Sequence, residues 1–267
     1  MSTLLHLICD YGANDLAFAE IIRQLSWRLP ADVRFWPTSV DPFDTTGTGF
    51  VLGQLALGEQ PPPPFRTIVF ANCAPRKDRT AARKNNAGEG LLYGRLRNGV
   101  EIIAVNSGNT FGFVKHDLSS LFTTIAPNRG SQFRSRDFFP KIIAAVINGQ
   151  ADFTERELTI KTSVPDMPQN VVAYRDSFGN LKTSIRDGNE ILGGLSTGQR
   201  VKVTIGRKEC TATVATGSFN VKEGDLALAP GSSGYEKRFW ELFKRGGSAW
   251  RDFNCPDNGD VVTIHAE

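Results

Sequence analysis

Histidine and methionine are scarce in this chain, at three and two residues of 267. His6, His116 and His265 have no ligand spacing, and the expectation is that no metal is bound. Cysteine is nearly as sparse. Cys9, Cys73, Cys210 and Cys255 stand too far apart for a C-x-x-C metal or redox motif, and buried thiols are the simpler reading of Cys9 and Cys210. No stretch approaches the roughly 20 apolar residues of a membrane span. The opening MSTLLHLICDYG has neither a basic n-region nor a long apolar run, so it does not read as a signal peptide. A cytoplasmic location away from membranes is expected. The formal charge of +3 is too weak to imply nucleic acid by itself.

What is present is ordinary globular material: 40% hydrophobic and 22% charged residues in a length suited to two domains. Leu4–Cys9 is an apolar run ending in Asp-Tyr-Gly, a buried strand and then a turn. Asn14 or Asp15 can cap a helix with Phe18, Ile21, Ile22 and Leu25 on one face. Val33–Pro37 is a second strand, Thr46–Leu57 a helix, Pro61–Pro64 a stiff spacer and Thr67–Asn72 a third strand. A polar, basic loop follows over Ala74–Gly90. Strands Leu91–Leu96 and Val100–Asn106 flank Arg97-Asn98-Gly99, a strong hairpin signal. Arg136–Ile147 reads as a helix. Strand–helix alternation makes residues 1–155 a layered α/β domain (α/β/α), with 156–170 a proline-bearing linker. Beyond it, short strands at Asn170–Tyr174, Leu181–Ile185, Arg200–Ile205, Glu209–Ala215, Asp225–Ala229 and Asp260–His265 alternate with glycine turns. That pattern predicts a small β-barrel or sandwich over 171–267, interrupted by one helix at Tyr235–Lys244.

The polar turns after the first three strands fall on one edge of an α/β sheet, where ligands bind. Asp10 could accept both hydroxyls of a ribose, or could simply serve the turn. Phe43, in Asp41-Pro42-Phe43-Asp44, could pack on a sugar or base, or in the core. Asn72 opens the third turn, and the cations from Arg76 to Lys84 read mostly as a solvated loop. Arg136 and Asp137 form an ion pair or cap by default. Asp176-Ser177-Phe178-Gly179-Asn180 is a β-turn. Pro230-Gly231-Ser232-Ser233-Gly234-Tyr235 is a tight turn whose N–H groups suit an anion, or a helix start capped by Ser233.

Taken in order, D-Y-G-x-x-D, D-P-F-D, R-x-R-D-F-F-P, D-S-F-G-N-L and P-G-S-S-G-Y resemble the S-adenosylmethionine hydrolases, in the superfamily that includes the fluorinases and chlorinases. The resemblance spans almost the whole chain. It implies an α/β/α domain followed by a β-barrel, assembled as a homotrimer with active sites at subunit interfaces. The implied reaction is attack of water or halide on C5′ of the adenosyl group, with methionine leaving and no cofactor beyond S-adenosylmethionine itself as substrate or ligand. By motif matching, Asp10 would hold the ribose and Phe43 would flank the ligand. Asp176, Ser232 and Ser233 would hold the methionine amino and carboxylate groups, and Phe178 and Asn180 would line the adenine pocket, with Phe219 a further aromatic.

The chain departs from the pattern where water is activated. The hydrolases carry Asp-Pro-Gly where this chain has Asn72-Cys73-Ala74, His-Gly-Arg-Asp where it has Arg134-Ser135-Arg136-Asp137, and Pro-Asp-Asn-Gly where it has Val105-Asn106-Ser107-Gly108. A Pro-Asp-Asn-Gly does occur at 256–259, in the other domain, as a turn before the last strand. Arg79 keeps its place. Asn72 and Arg134 cannot accept a proton at neutral pH. The ligand-holding residues are retained and the water-activating ones lost. Three expectations follow: a divergent adenosyl-cleaving enzyme in which Arg79 and Arg134 hold the nucleophile and Asn72 orients it; a non-catalytic adenosyl- or nucleotide-binding protein of the same fold; and, third, an anion-binding role for the Arg76–Lys84 loop.

Overall fold

The computed structural model describes residues 2–60, 65–74, 81–217 and 219–267. The chain divides into two compact units, Met1–Asp166 and Met167–Glu267. The Pro61–Pro64 spacer, residues 75–80 of the basic loop and Ser218 lie outside the described residues.

In the first unit β1 (Thr3–Cys9), α1 (Leu16–Ser26), β2 (Val33–Ser39), α2 (Thr45–Leu57) and β3 (Arg66–Asn72) follow the expected alternation. Next come β4 (Leu91–Leu96), β5 (Glu101–Val105), β6 (Leu118–Thr124), α3 (Arg134–Asp137), α4 (Phe139–Ile147), β7 (Thr154–Glu157) and α5 (Ile160–Ser163). The sheet order is β2-β1-β3-β5-β4-β6-β7. β2, β1, β3 and β5 are mutually parallel, so their C-terminal ends share one edge; β4, β6 and β7 pair antiparallel. Leu5, Leu7, Ile68, Phe70 and Ile103 are completely buried and pack with Phe18, Ile21 and Leu25 of α1 and Phe139, Ile142 and Ile143 of α4. The Asn-Gly hairpin forms as expected: Gly99 takes φ 88°, and Leu96 and Val100 close the turn at 2.9 Å.

Two expectations in this unit are corrected. The helix expected over Arg136–Ile147 is broken at Phe138 (φ −120°, ψ −45°) into α3 and α4. Pro140 is the cause: it lacks an N–H and its ring would crowd the carbonyl four residues back. Residues 156–166, expected as linker, belong to the unit. β7 pairs with β6, and Lys115 bonds Asp166 at 2.8 Å.

The second unit holds β8 (Val172–Arg175), β9 (Leu181–Arg186), β10 (Arg200–Ile205), β11 (Lys208–Val214), β12 (Leu226–Pro230), β13 (Phe239–Lys244), α6 (Ala249–Asp252) and β14 (Val262–Ala266). Its sheet runs β14-β10-β11-β12-β13-β9-β8. The two edges meet: Val171 bridges Val261, Val172 N–H donates to Asp260 O, and Val262 N–H donates to Asn170 O. The core is Val172, Leu181, Ile185, Val201, Val203, Leu228, Leu242 and Val262, closed by Phe253.

The helix expected at Tyr235–Lys244 does not form: residues 235–238 are a turn and Phe239–Lys244 is β13, hydrogen-bonded to β12 and β9. A register shift between Phe239 and Glu241 breaks the two-residue alternation, so Phe239, Leu242 and Phe243 are all buried. That spacing imitates a helical stripe. The P-G-S-S-G-Y turn therefore starts no helix, and Ser233 caps none. Among the described residues no helix is long and apolar enough to cross a membrane.

Candidate functional site

In the first unit, Asp10 ties together the turns after three parallel strands. Its N–H extends the ladder to Asn72 O at 3.2 Å. Its Oδ2 accepts the N–H of Ala74 at 3.2 Å and that of Phe43 at 3.4 Å. Phe43 sits at φ 66°, an uncommon conformation for a bulky side chain, so the Asp41–Asp44 turn holds local strain. Two further acids of these turns, Asp15 and Asp44, serve the backbone. Asp15 caps α1 through Ala17 N–H at 2.8 Å, and Asp44 caps α2 through Gly47 N–H at 2.7 Å. Of the two aspartates in D-Y-G-A-N-D, the second is the cap, and the first stands at the sheet edge.

Beside Asp10 runs a polar chain. Asn72, 7% exposed, donates through Nδ2 to the Tyr11 phenol at 2.8 Å. That phenol lies 2.7 Å from the buried Ser135 hydroxyl on α3. Edge-on contacts with Phe18 and Phe133, centroids 5.6 and 6.1 Å away, fix the Tyr11 ring. Arg134, the first residue of α3, is half-buried. Its Nη1 donates to Glu89 O at 2.6 Å, and its guanidinium lies 5.5 Å from the Phe139 ring. Burial pulls its pKa down; the Glu89 carboxylate opposes this and Arg83 adds to it. Glu89 itself pairs with Arg83 at 2.7 Å. A Cβ at Gly88 would meet the Arg134 guanidinium, which would have to shift to admit it.

Arg136 and Asp137 form the ion pair read as the default, at 2.7 Å, and Arg136 also reaches Glu20 at 3.2 Å. The Arg136 guanidinium, then the Ser131 hydroxyl, hold the Asp137 carboxyl below its ordinary value. Cys73 is buried, and its thiol is pushed well up by burial and by the Asp10 charge, so it stays protonated. Asn72, Tyr11, Ser135 and Arg134 thus supply donors and acceptors but no neutral-pH base. Arg79 lies outside the described residues.

In the second unit, Asp176 is engaged by its own turn. Oδ1 accepts the N–H groups of Phe178 and Asn180, both at 3.0 Å, and Oδ2 accepts Asn180 Nδ2 at 2.9 Å. Gly179 (φ 81°) packs so tightly on Ser248 that no side chain fits. The turn presents Phe178, 78% exposed. Phe219, 83% exposed, lies 5.7 Å under the Arg245 guanidinium. Arg245 follows β13, and Leu242 of β13 stands opposite Leu181, the residue after the Phe178 turn. Both exposed rings therefore lie at one end of the unit. The Ser232–Ser233 turn leaves the same ladder at the other end, where Phe239 faces Arg186. Ser232 is exposed; Ser233 is buried, and its carbonyl accepts Phe239 N–H at 2.8 Å.

Sequence reasoning locates Asp10, Phe43, Asn72 and Arg134 but gives no role to Tyr11 or Ser135. The two are 124 positions apart, and the sequence signal is only their presence in the motifs that frame Asp10 and Arg134. Among the described residues, no group of three or more His, Cys, Asp or Glu could hold a metal ion.

No protein-family model matches this chain, and no curated protein matches its sequence. Two solved structures share its two-domain α/β fold. One, an uncharacterized conserved protein from Thermotoga maritima, is 20% identical with a TM-score of 0.78, over 97% of this chain and 99% of that one. The other, a conserved hypothetical protein from Thermus thermophilus, is 18% identical with a TM-score of 0.69, over 99% and 100%. At these identities the likeness concerns the fold alone.

Proposed function

We propose that the protein binds S-adenosylmethionine and cleaves its adenosyl C5′–S bond by attack of water, releasing adenosine and methionine. One observation carries this reading. Asp10 gathers the turns after β1, β2 and β3 around a single carboxylate at the C-terminal edge of the parallel strands, the edge at which α/β sheets bind ligands, with Asn72 and Arg134 on β3 and α3. Asp10 takes the ribose hydroxyls and Phe43 flanks the ligand. In the second unit, Phe178 and Phe219 offer faces for a purine. Asn180 gives its NH2 to Asp176, which leaves its carbonyl for the exocyclic amine of adenine. Asp176 acts by holding this turn. The methionine amino and carboxylate groups fall to Asp176 and the Ser232–Ser233 turn.

The chemistry asks little of a base. Water oxygen bonds to C5′ opposite the sulfur, the C5′–S electron pair leaves with neutral methionine, and the surplus proton passes to solvent. Sulfonium is already a good leaving group, so catalysis rests on alignment. Arg79 and Arg134 hold the nucleophile and Asn72 orients it. The architecture in this reading is three-layered α/β/α followed by a small β-barrel closed where Val171 meets Val261, assembled as a homotrimer.

A second reading, a non-catalytic adenosyl-binding protein, is favoured by Asn72 and Arg134 standing where a base is needed. Losing one costs about 10²–10⁴-fold in rate. The test incubates the protein with S-adenosylmethionine, with and without chloride, following products by chromatography and stability by thermal shift. Adenosine and methionine above the protein-free control, reduced in Asp10→Ala and Phe178→Ala, are expected. Thermal stabilisation without product selects the binding protein; neither response rejects both readings.

A further inference from the structure

We infer that Ser107 is a positioning residue: its hydroxyl holds the peptide unit between Cys73 and Ala74 so that the Ala74 N–H stays on the Asp10 carboxylate. The consequence for ribose binding rests on the proposed adenosyl reading; the geometry does not. A peptide unit is planar, and its C=O and N–H point to opposite sides. In the turn after β3 both ends of this unit are taken. The Cys73 carbonyl accepts Ser107 Oγ–H at 2.7 Å, and the Ala74 N–H donates to Asp10 Oδ2 at 3.2 Å. A carbonyl can only accept, so the direction of the first bond is fixed. The plane is thus gripped by a hydroxyl from the turn after β5 and by a carboxylate from the turn after β1. β5 runs parallel to β3, so a fourth strand end joins the three that Asp10 gathers.

The Ser107 end of this grip is firmly seated. Ser107 is buried, its N–H donates to Val105 O at 2.9 Å, and its carbonyl accepts Thr110 N–H at 3.0 Å. Gly108 (φ 42°) lies so close to α2 that a Cβ there would meet the Thr45 side chain. Asn109 Nδ2 lies 3.0 Å from Thr46 Oγ1. Thr45 and Thr46 open α2, the helix that Asp44 caps. Ser107 therefore carries the fixed position of α2 across to the turn after β3. Asp10 Oδ2 also accepts Phe43 N–H at 3.4 Å, and the Ala74 contact is the shorter of the two. Without the Ser107 hydroxyl the Cys73–Ala74 plane can tilt and that contact loosens. The carboxylate keeps its charge but loses its aim at the two ribose hydroxyls.

The test uses the full-length protein, Ser107→Ala, Ser107→Thr and a control, Thr124→Val. Thr124 is buried in the same sheet and donates to Leu91 O at 2.9 Å, so the control removes an equivalent bond elsewhere. Affinities for adenosine and for 2′,3′-dideoxyadenosine are measured by calorimetry. Ser107→Ala is expected to weaken adenosine about tenfold and dideoxyadenosine less than about twofold. Ser107→Thr, which keeps the donor, should hold the wild-type ratio, and Thr124→Val should alter neither affinity. Equal weakening of both nucleosides, or an unchanged affinity for adenosine, overturns the positioning role. Amide exchange at Ala74, assigned in ¹⁵N-alanine-labelled protein by its loss in Ala74→Gly, reads the grip directly. It should be faster in Ser107→Ala than in the wild type and Thr124→Val; equal rates overturn the inference whether or not a nucleoside binds. Ser107→Cys, whose thiol is a weak donor, gives the same comparison should the alanine variant fail to fold. A wild type that binds neither nucleoside rejects the adenosyl reading, and the exchange comparison still decides whether Ser107 holds this peptide.

Discussion

Replacing Glu101 with alanine tests how the first unit is held together. Glu101 opens β5, and its Oε2 accepts Nε of Arg66 at 2.8 Å and also Nη2 of Arg66; its Oε1 accepts the Tyr93 phenol at 2.6 Å. Arg66, at the start of β3, continues to the end of α4, donating to Ile147 O at 3.2 Å and Val146 O at 3.1 Å. One carboxylate thus ties together three strands, β3, β4 and β5, and through Arg66 a helix terminus whose last carbonyls have no partner within the helix. Breaking a fully buried ion pair costs about 3–5 kcal/mol. The Arg66 and Glu101 side chains keep 23% and 13% of their exposure, so a stranded guanidinium regains some water. About 3 kcal/mol is therefore expected for Glu101→Ala, against about 1 kcal/mol for Tyr93→Phe, which removes one hydrogen bond. For a unit of this size, about 3 kcal/mol corresponds to a melting temperature lower by about 6–12 °C. Thermal and denaturant unfolding of both variants and of Glu101→Ala/Arg66→Ala measure it. The double variant should cost less than the sum of the singles by about 1 kcal/mol or more, because no charge is left unpaired. A loss below about 1 kcal/mol for Glu101→Ala, or strict additivity, would refute the reasoning.

Two other perturbations probe the same unit. His6 lies on β1 between Trp36 and Val69; its Nδ1 is buried without a partner, and burial lowers its pKa. The native state then holds that proton less tightly than the unfolded chain. Stability is complete above the ordinary value of 6.5 and declines as the pH falls from there toward the lower native value. His6→Leu should flatten the fall in melting temperature between about pH 7.5 and 5; an unchanged slope would assign the acid sensitivity elsewhere. Gly49→Ala should destabilise despite a gain in helix propensity of about 1 kcal/mol, because the new Cβ in α2 would meet the Asn109 carbonyl and lie 3.0 Å from Phe113. A net loss of about 2 kcal/mol in equilibrium unfolding is expected, and a stabilised variant would contradict that packing.

The parts of the fold that are legible in the sequence are those where a single period governs a whole element. β1 and β3 are nearly continuous apolar runs because helices cover the sheet, and Asn98-Gly99 specifies its hairpin by backbone conformation alone. β13 reads as a helix because a register shift merges two-residue alternation into a helix-like stripe. β6, Leu-Ser-Ser-Leu-Phe-Thr-Thr, has no clear period of its own and takes its place from the strands beside it. The site divides in the same way. Asp10, Phe43 and Asn72 can be found because strand ends in a parallel sheet share an edge. The Tyr11–Ser135 contact is a tertiary event joining residues 124 positions apart, and no local pattern encodes it.

The meeting of the two edges in the second unit also sets an order of events during synthesis. Residues 260–266 lie between two partners, β10 on one side and residues 170–172 on the other. Until that stretch leaves the ribosome, Val172 and Val201 are both left without the neighbour that covers their edges. The pairing of Val171 with Val261 encloses about 90 residues, so it is a late, long-range closure. A nascent chain stalled short of residue 260 would expose two open strand edges at once, a ready substrate for chaperones and for mispairing between chains.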